Sequence, residues 1–288
     1  MYIPEIPDIF KSEDTIYHYT TLKSATEFIL YDNNLRLSRR KNSNDPIEKI
    51  LPSINFSEYG YSDEILPDSS NERDNISDLI RRKLKQAKQL CFCMNDNKSR
   101  KINSNPEFPH EYFGFMKPRM WDQYADQYNG VCLAFSLTEL RKEANGMLNR
   151  KVDYVNYNTL RQQSVSVDMN EIKKNGLDRY WNERFSSNID DIIFRKHIDY
   201  EGENEYRFVS YSNNEFDNIS IKNSLRGIIV SDNYSSNFSK EILNKYADNY
   251  KIEMLFLSWI PEGINFQTKH SRDNVSAMLK NMVDKNFQ

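Results

Sequence analysis

The sequence predicts one α+β domain over residues 1–288, with a mixed, mostly antiparallel sheet as its core and helical insertions. Three observations lead to that class. Short runs rich in β-branched and aromatic residues recur along the chain. Stretches with apolar residues at helical spacing lie between them. No internal repeat and no low-complexity linker divides the chain, and 288 residues suffice for a substantial core.

The elements follow in order. "TIYHYT" at 15–20 reads as a strand. The helix after it carries Leu22, Ala25, Phe28 and Ile29 on one side. "NLRLSRR" alternates Leu35 and Leu37 and predicts a second strand over 34–39. "KNSNDPIE" is a loop with strong turn chemistry. Residues 52–73 are polar and irregular and read as a mobile insertion. "DNISDLIRRKLKQAK" is a basic amphipathic helix whose charges face solvent. "QLCFCM" at 89–94 is a strand, followed by a long loop. "RMWDQYADQ" is a short helix and "GVCLAFS" at 130–136 a buried strand. "KVDYVNY" is a further strand, and residues 168–199 are largely helical with a break near Gly176. "EYRFVSY" at 205–211 and "SLRGIIVS" are strands. A helix over "SKEILNKYADNY" leads to "KIEMLFLSW", expected as the last strand. Residues 272–288 form a terminal helix or tail.

Bulk properties exclude several function classes. A net charge of −3 and a pI of about 5.9 do not indicate a basic face for non-specific duplex binding. No run of about 18 apolar residues predicts a membrane span. The start of the chain lacks the basic and apolar regions of a secretory signal. Cys91, Cys93 and Cys132 make an odd count without framework spacing, so they are expected as buried free thiols in a reducing cytoplasm. With no further Cys or His near Cys91 and Cys93, no zinc site is expected.

Four stretches carry side chains suited to chemistry. On a strand over 15–20, Ile16, His18 and Thr20 share one face and Tyr17 and Tyr19 the other. His18 and Thr20 would then present polar groups about 7 Å apart, a span that suits a ribose. The plainer reading is a satisfied core histidine. In "NSNDPIE", Asp45 caps the turn through Pro46 and Ile47, and Glu48 completes a capping box; the alternative is a carboxylate at a site mouth. Trp121, Tyr124, Ala125 and Tyr128 lie at helical spacing, either as core or as a stacking platform. Glu201, Glu203 and Glu205 alternate before a β run. On one extended segment they would share a side, and like charges there repel unless a cation such as Arg207 sits among them. A half-buried carboxylate beside an arginine is typical of a site, and a solvated edge is the rival explanation.

Together these pieces resemble a bacterial domain family of unknown function, some of whose members sit in phage-defence neighbourhoods. The motifs are "YHYT" at 17–20, "LRLS" at 35–38, "NDPIE" at 44–48, "CFC" at 91–93, "MWDQYA" at 120–125, "GVCLAF" at 130–135 and "ENEYR" at 203–207. The early His-x-Thr strand and late Glu-x-Glu strand are also similar to the ADP-ribosyltransferase superfamily. That second resemblance implies an ADP-ribosyltransferase-like fold with NAD as substrate. It assigns His18 to the ribose, with Thr20 beside it, and Tyr124 or Trp121 to stacking on nicotinamide. Glu205, or else Glu203, becomes the catalytic carboxylate. Arg207 either holds Glu205 ionised or meets a phosphate. Tyr19 stands where many superfamily members have Gly.

Three functions compete on this evidence. One is an NAD-using transferase or NAD hydrolase in a defence or toxin role, acting on a protein or nucleic-acid acceptor with defence-system partner proteins. Another is a metal-dependent nuclease or phosphoesterase with Asp45, Glu203 and Glu205 around Mg²⁺. The third is a non-catalytic sensor or binding module. Convergence of His18 and Glu205 on one cleft would favour the first.

Overall fold

The computed structural model describes residues 6–43, 45–57, 70–97, 112–161, 164–181, 186–261 and 263–274. The strands of the first half are β1 (Thr15–Thr20), β2 (Asn34–Arg36), β3 (Ser38–Arg39), β4 (Ser53–Ser57), β5 (Lys88–Met94), β6 (Val131–Ser136) and β7 (Leu148–Lys151). Those of the second half are β8 (Asp153–Val155), β9 (Ser164–Asp168), β10 (Arg195–His197), β11 (Glu205–Ser210), β12 (Asn218–Ser220), β13 (Leu225–Ser231), β14 (Glu253–Ile260) and β15 (Gly263–Thr268).

A nine-stranded sheet runs β15-β14-β13-β6-β1-β5-β11-β7, with β3 also paired to β5. Its pairings are antiparallel except β13 with β14. Parallel neighbours need a crossover, and the helix Asn237–Tyr250 supplies it. Two-stranded sheets join β8 to β10, β2 to β12 and β4 to β9. The chain is therefore α+β with a mixed, mostly antiparallel sheet, as its strand and helix patterns predict.

Alternation along each strand feeds opposite cores. One face buries Ile16, Leu90, Phe92, Leu133 and Phe208 with Ile29, Leu30 and Leu243 of the covering helices. Two hydroxyls tie those helices together: Tyr246 donates to the Thr26 carbonyl and Tyr250 to the Leu30 carbonyl, each at 3.0 Å. The other face buries Tyr17, Tyr19, Cys93 and Cys132 against Phe10, Phe115 and Trp121. A further cluster forms where the helix Ser70–Gln86 turns Ile76, Ile80 and Leu84 inward onto Val165, Val167 and Ile193. Each such apolar side chain contributes about 1.5–3 kcal/mol when fully buried.

Several expectations shift in detail. The strand expected over 34–39 changes partner midway, because the Leu37 N–H bonds the Asp217 carbonyl. β2 then pairs β12 while β3 pairs β5, although Leu35 and Leu37 are both buried as alternation requires. The segment expected as a mobile insertion at 52–73 contains β4, paired parallel with β9 through alternating Ile54 and Phe56; a helix begins at Ser70, and 58–69 lie outside the described residues. Within 168–199 the helices Met169–Asn175, Leu177–Tyr180 and Ser186–Ile193 give way to β10. The break falls at Gly176, whose φ of 80° favours glycine. β15 follows the strand expected to be last. Of the terminal segment, 275–288 lie outside the described residues. No helix among the described residues is long and apolar enough to cross a membrane.

Gly130 lets the chain enter β6. A Cβ there would strike the Thr20 carbonyl oxygen and come within 2.8 Å of the Ala125 backbone. Gly130→Ala should therefore cost about 1–3 kcal/mol through forced backbone movement. Gly202, with no atom within 4 Å of a built Cβ, should accept Ala within about 0.5 kcal/mol. Thermal melts of the two variants check this pair.

Candidate functional site

The site begins with a fault in the sheet. β1 and β5 pair only at Ile16 with Met94 and Tyr17 with Cys93. β3 holds the other end of β5, pairing Ser38 with Gln89 and Arg39 with Lys88. Between these contacts the edge at 90–92 has no pairing strand among the described residues. His18 stands at the opening, and its Nδ1 lies 3.0 Å from the Cys91 carbonyl oxygen. A carbonyl only accepts, so Nδ1 carries the proton and Nε2 is the ring's acceptor. Burial pushes the imidazole's pKa down and so favours this neutral form, while the hydrogen bond to the Cys91 carbonyl partly offsets that. A cavity of about 730 Å³ occupies the split. Leu90 and Phe92 line it from one face of the sheet and Cys91 and Cys93 from the other.

One wall of the cavity is a buried ionic cluster. Arg207 is fully buried at the centre of β11. Its Nε donates to Glu205 Oε1 at 2.6 Å, its Nη2 to Glu48 Oε1 at 2.6 Å, and its Nη1 to the Ile193 carbonyl at 2.5 Å. Lys196 of β10 donates to Glu203 at 2.6 Å and to Glu205 at 3.3 Å. Gln89 and Ser43 donate to the remaining oxygen of Glu48.

Environment separates the three carboxyls. Burial would raise the pKa of Glu48, but Arg207 and Lys196 pull it down to about 2. Burial would likewise raise Glu205, and Arg207 followed by Lys196 holds it below its ordinary value. Glu203 differs. Burial raises its pKa, and Lys196 only partly offsets that. Its Oε1 is loosely held, with the Tyr124 hydroxyl at 3.5 Å and Arg119 Nη2 at 3.8 Å.

The structure brings His18, Thr20, Tyr124, Glu203, Glu205 and Arg207 onto one cavity. By strand alternation His18 and Glu205 project from opposite faces, and the split joins them. Trp121 does not reach the cavity. It is fully buried in the opposite core, its indole N–H donates to the Phe115 carbonyl at 2.8 Å, and Tyr19 packs edge-on against it. Of the two aromatics expected to stack on a ligand, only Tyr124 is available. Glu201, Glu203 and Glu205 do not share one extended segment. Ile198–Glu203 is a 3-10 turn, and Asn204 in the left-handed region at φ 45° resets the chain before β11. Glu201 is exposed, while Glu203 and Glu205 converge on Lys196. Each Arg207 nitrogen donates to a protein group, and Nε and Nη2 both bond the Glu205 carboxylate. Asp45 caps its turn as expected, its Oδ1 accepting from the Ile47 N–H at 2.8 Å, but it lines a different cavity.

Sequence reasoning missed Glu48 and Lys196. Glu48 completes no capping box; its carboxylate reaches Arg207, 159 residues away. Lys196 sits inconspicuously in "FRKHID". The only available signal was the need for cations to balance the Glu run.

Removing the central cation should be severe. Arg207→Met leaves Glu48 and Glu205 buried without their main partner and should cost about 3–5 kcal/mol in urea unfolding. The lowered Glu48 also makes stability depend on pH. Its ionised form stabilises the fold above its ordinary pKa of 4.5, and that contribution is lost as pH falls from there toward about 2. Unfolding midpoints measured down this range should fall less steeply for Glu48→Gln than for wild type.

No curated protein and no solved structure matches the chain. The family comparison does find a match, and it covers the helix bearing Tyr124, the buried strand β6 and the Lys196–Arg207 cluster. Residues 120–208 match the family model described as Protein of unknown function (DUF2971), which bears out the resemblance to a domain family of unknown function over that segment.

Proposed function

We propose that the split-sheet cavity holds NAD as a substrate, and that the protein breaks its nicotinamide–ribose bond as an ADP-ribosyltransferase or NAD hydrolase. The observation that carries this reading is the meeting of His18, Tyr124 and Glu203 on one cavity. Its volume of about 730 Å³ lies within the range of ligand sites of about 300–1,000 Å³. In this reading Nε2 of His18 accepts from a ribose hydroxyl, Thr20 supplies a second polar contact, and the Tyr124 ring packs against nicotinamide.

Breaking the bond between ribose C1′ and the nicotinamide nitrogen sends the electron pair to nicotinamide and leaves positive charge on the sugar. A carboxylate already fixed beside that carbon stabilises the transition state more than the ground state. Glu203 suits this role better than Glu205, because one of its oxygens is loosely held. An acceptor nucleophile, or water, then bonds C1′ and gives up its proton, which a carboxylate with a raised pKa can take. Glu205 acts as a positioning residue through Lys196 and Arg207.

A metal-dependent phosphoesterase is the less favoured reading. The Lys196 ammonium already sits between Glu203 and Glu205, and Asp45 lines a separate cavity. The sequence resemblances support a defence or toxin role, with a protein or nucleic acid as acceptor and defence-system proteins as partners. The free thiols of Cys91, Cys93 and Cys132 support a cytoplasmic setting.

The test is NAD consumption, with nicotinamide release as readout and melts as folding controls. Glu203→Gln should lower kcat by about 10²–10³. His18→Ala should raise KM and lower kcat, since it positions the ribose. Protonating Glu203 removes the stabilising charge, so the rate should fall as pH drops through a value above 4.5, the carboxyl's ordinary pKa. An unaltered rate in Glu203→Gln, or strict dependence on Mg²⁺, would overturn the reading.

A further inference from the structure

The split-sheet cavity changes character between its buried wall and its exposed rim. The buried wall sets Glu48, Glu203 and Glu205 against Lys196 and Arg207, formally three carboxyls to two cations. The rim reverses that balance. Arg36 of β2 and Arg39 of β3 line it, opposed by the acidic side chain of Asp32, and all three are exposed. Among the described residues neither arginine has a carboxylate partner. Asp217 lies close by in the chain, between Phe216 and Asn218 of the lining, but Lys88 takes it up at 2.7 Å.

The rim also carries open aromatic surface. Phe28 is 55% exposed and Phe216 50%. The Arg36 guanidinium lies over the Phe216 ring, 4.9 Å from its centre. A guanidinium stacked in this way is held flat and keeps its N–H edge for an acceptor. Asn218 stands opposite Arg36 across the β2–β12 pair and lines the same cavity. The ring of Phe28 remains for a flat partner. Exposed arginines without carboxylates, set beside open rings on one cavity, suit a phosphorylated ligand that carries an aromatic base.

We propose that this rim binds the nucleoside diphosphate part of the substrate, with Arg36 and Arg39 on the phosphates and Phe28 against the base. What lies deeper rests on the reading of the cavity as an NAD site. The oxidised nicotinamide ring is cationic, so the acidic excess of the buried wall draws it inward while the rim holds the diphosphate. The order of charge along the cavity thereby sets the direction in which the dinucleotide enters, nicotinamide first.

Calorimetric titration of the full chain with ADP and with adenosine tests the rim without any turnover. ADP should bind at least about ten-fold more tightly than adenosine, as charge-assisted contacts to phosphate require, and its affinity should fall as salt rises. Arg36→Gln and Arg39→Gln should each weaken ADP by about ten-fold. Phe28→Ala should weaken it as well. Lys41→Gln removes an exposed cation outside the cavity lining and should leave ADP affinity unchanged. The proposal is overturned if ADP does not bind at millimolar concentration or binds no better than adenosine. It is equally overturned if the arginine variants bind ADP as wild type does, or if Lys41→Gln costs as much as they do. NAD consumption with ADP affinity indifferent to Arg36 and Arg39 removes this assignment and leaves the catalytic reading. ADP binding that depends on both arginines, without NAD consumption, removes the catalytic reading and leaves this one.

Discussion

The buried guanidinium of Arg207 is the constraint on which the site depends. It joins β11 to the turn carrying Glu48 and to the carbonyl that ends the helix Ser186–Ile193. Its two carboxylate partners are themselves almost wholly buried. Buried charges persist only when paired and hydrogen-bonded, so each member is held by the others. The cluster is therefore a poor source of net stability and a strong source of geometry. It fixes where Lys196 sits, and Lys196 in turn draws Glu203 to the cavity wall.

The split between β1 and β5 is the second constraint, and it has a specific cause. β5 is held at one end by β1 and at the other by β3, so its middle edge is left open. An unpaired strand edge is ordinarily a liability. Here the His18 side chain takes over one carbonyl of that edge, and a cavity replaces the missing ladder. A histidine in an apolar and aromatic strand thereby becomes intelligible. It stands in for backbone, and that same bond selects its tautomer. Tyr19, its neighbour, points the other way and donates to the Gly114 carbonyl at 2.7 Å, which anchors the strand beside the opening.

Two glutamates two residues apart end in different electrostatic states because their neighbours differ. Glu205 lies beside Arg207 within a strand, and its pKa is depressed. Glu203 lies in the preceding turn, further from Arg207, and burial prevails. Pairs of carboxyls pushed apart in this way divide labour, one holding a site together and the other free to act. Glu48 belongs with Glu205 in the structural role, and it also forms part of the partition toward the cavity that Asp45 lines.

The sequence by itself determined the fold class and the principal strands β1, β5, β6, β11, β13 and β14, but not β4, β9, β10, β12 or β15. Alternation at Ile16, Leu35, Phe92 and Phe208 is a local, period-two signal that a buried face requires, so it survives folding unchanged. It also marked His18, Tyr124, Glu203, Glu205 and Arg207 as residues without an easy core or surface explanation. Tertiary structure alone decided how these residues combine. Trp121 and Tyr124 share a helix, yet one faces the opposite core and the other the cavity, because only packing ranks two aromatics three residues apart. Glu203 and Glu205 read as strand neighbours until Asn204 turned the chain between them. Glu48 was illegible because its partner Arg207 is 159 residues away; Lys196 is only seven and nine residues from Glu203 and Glu205, but it reaches them across a turn, where a lone charge carries no periodic pattern to show which buried charge will need it.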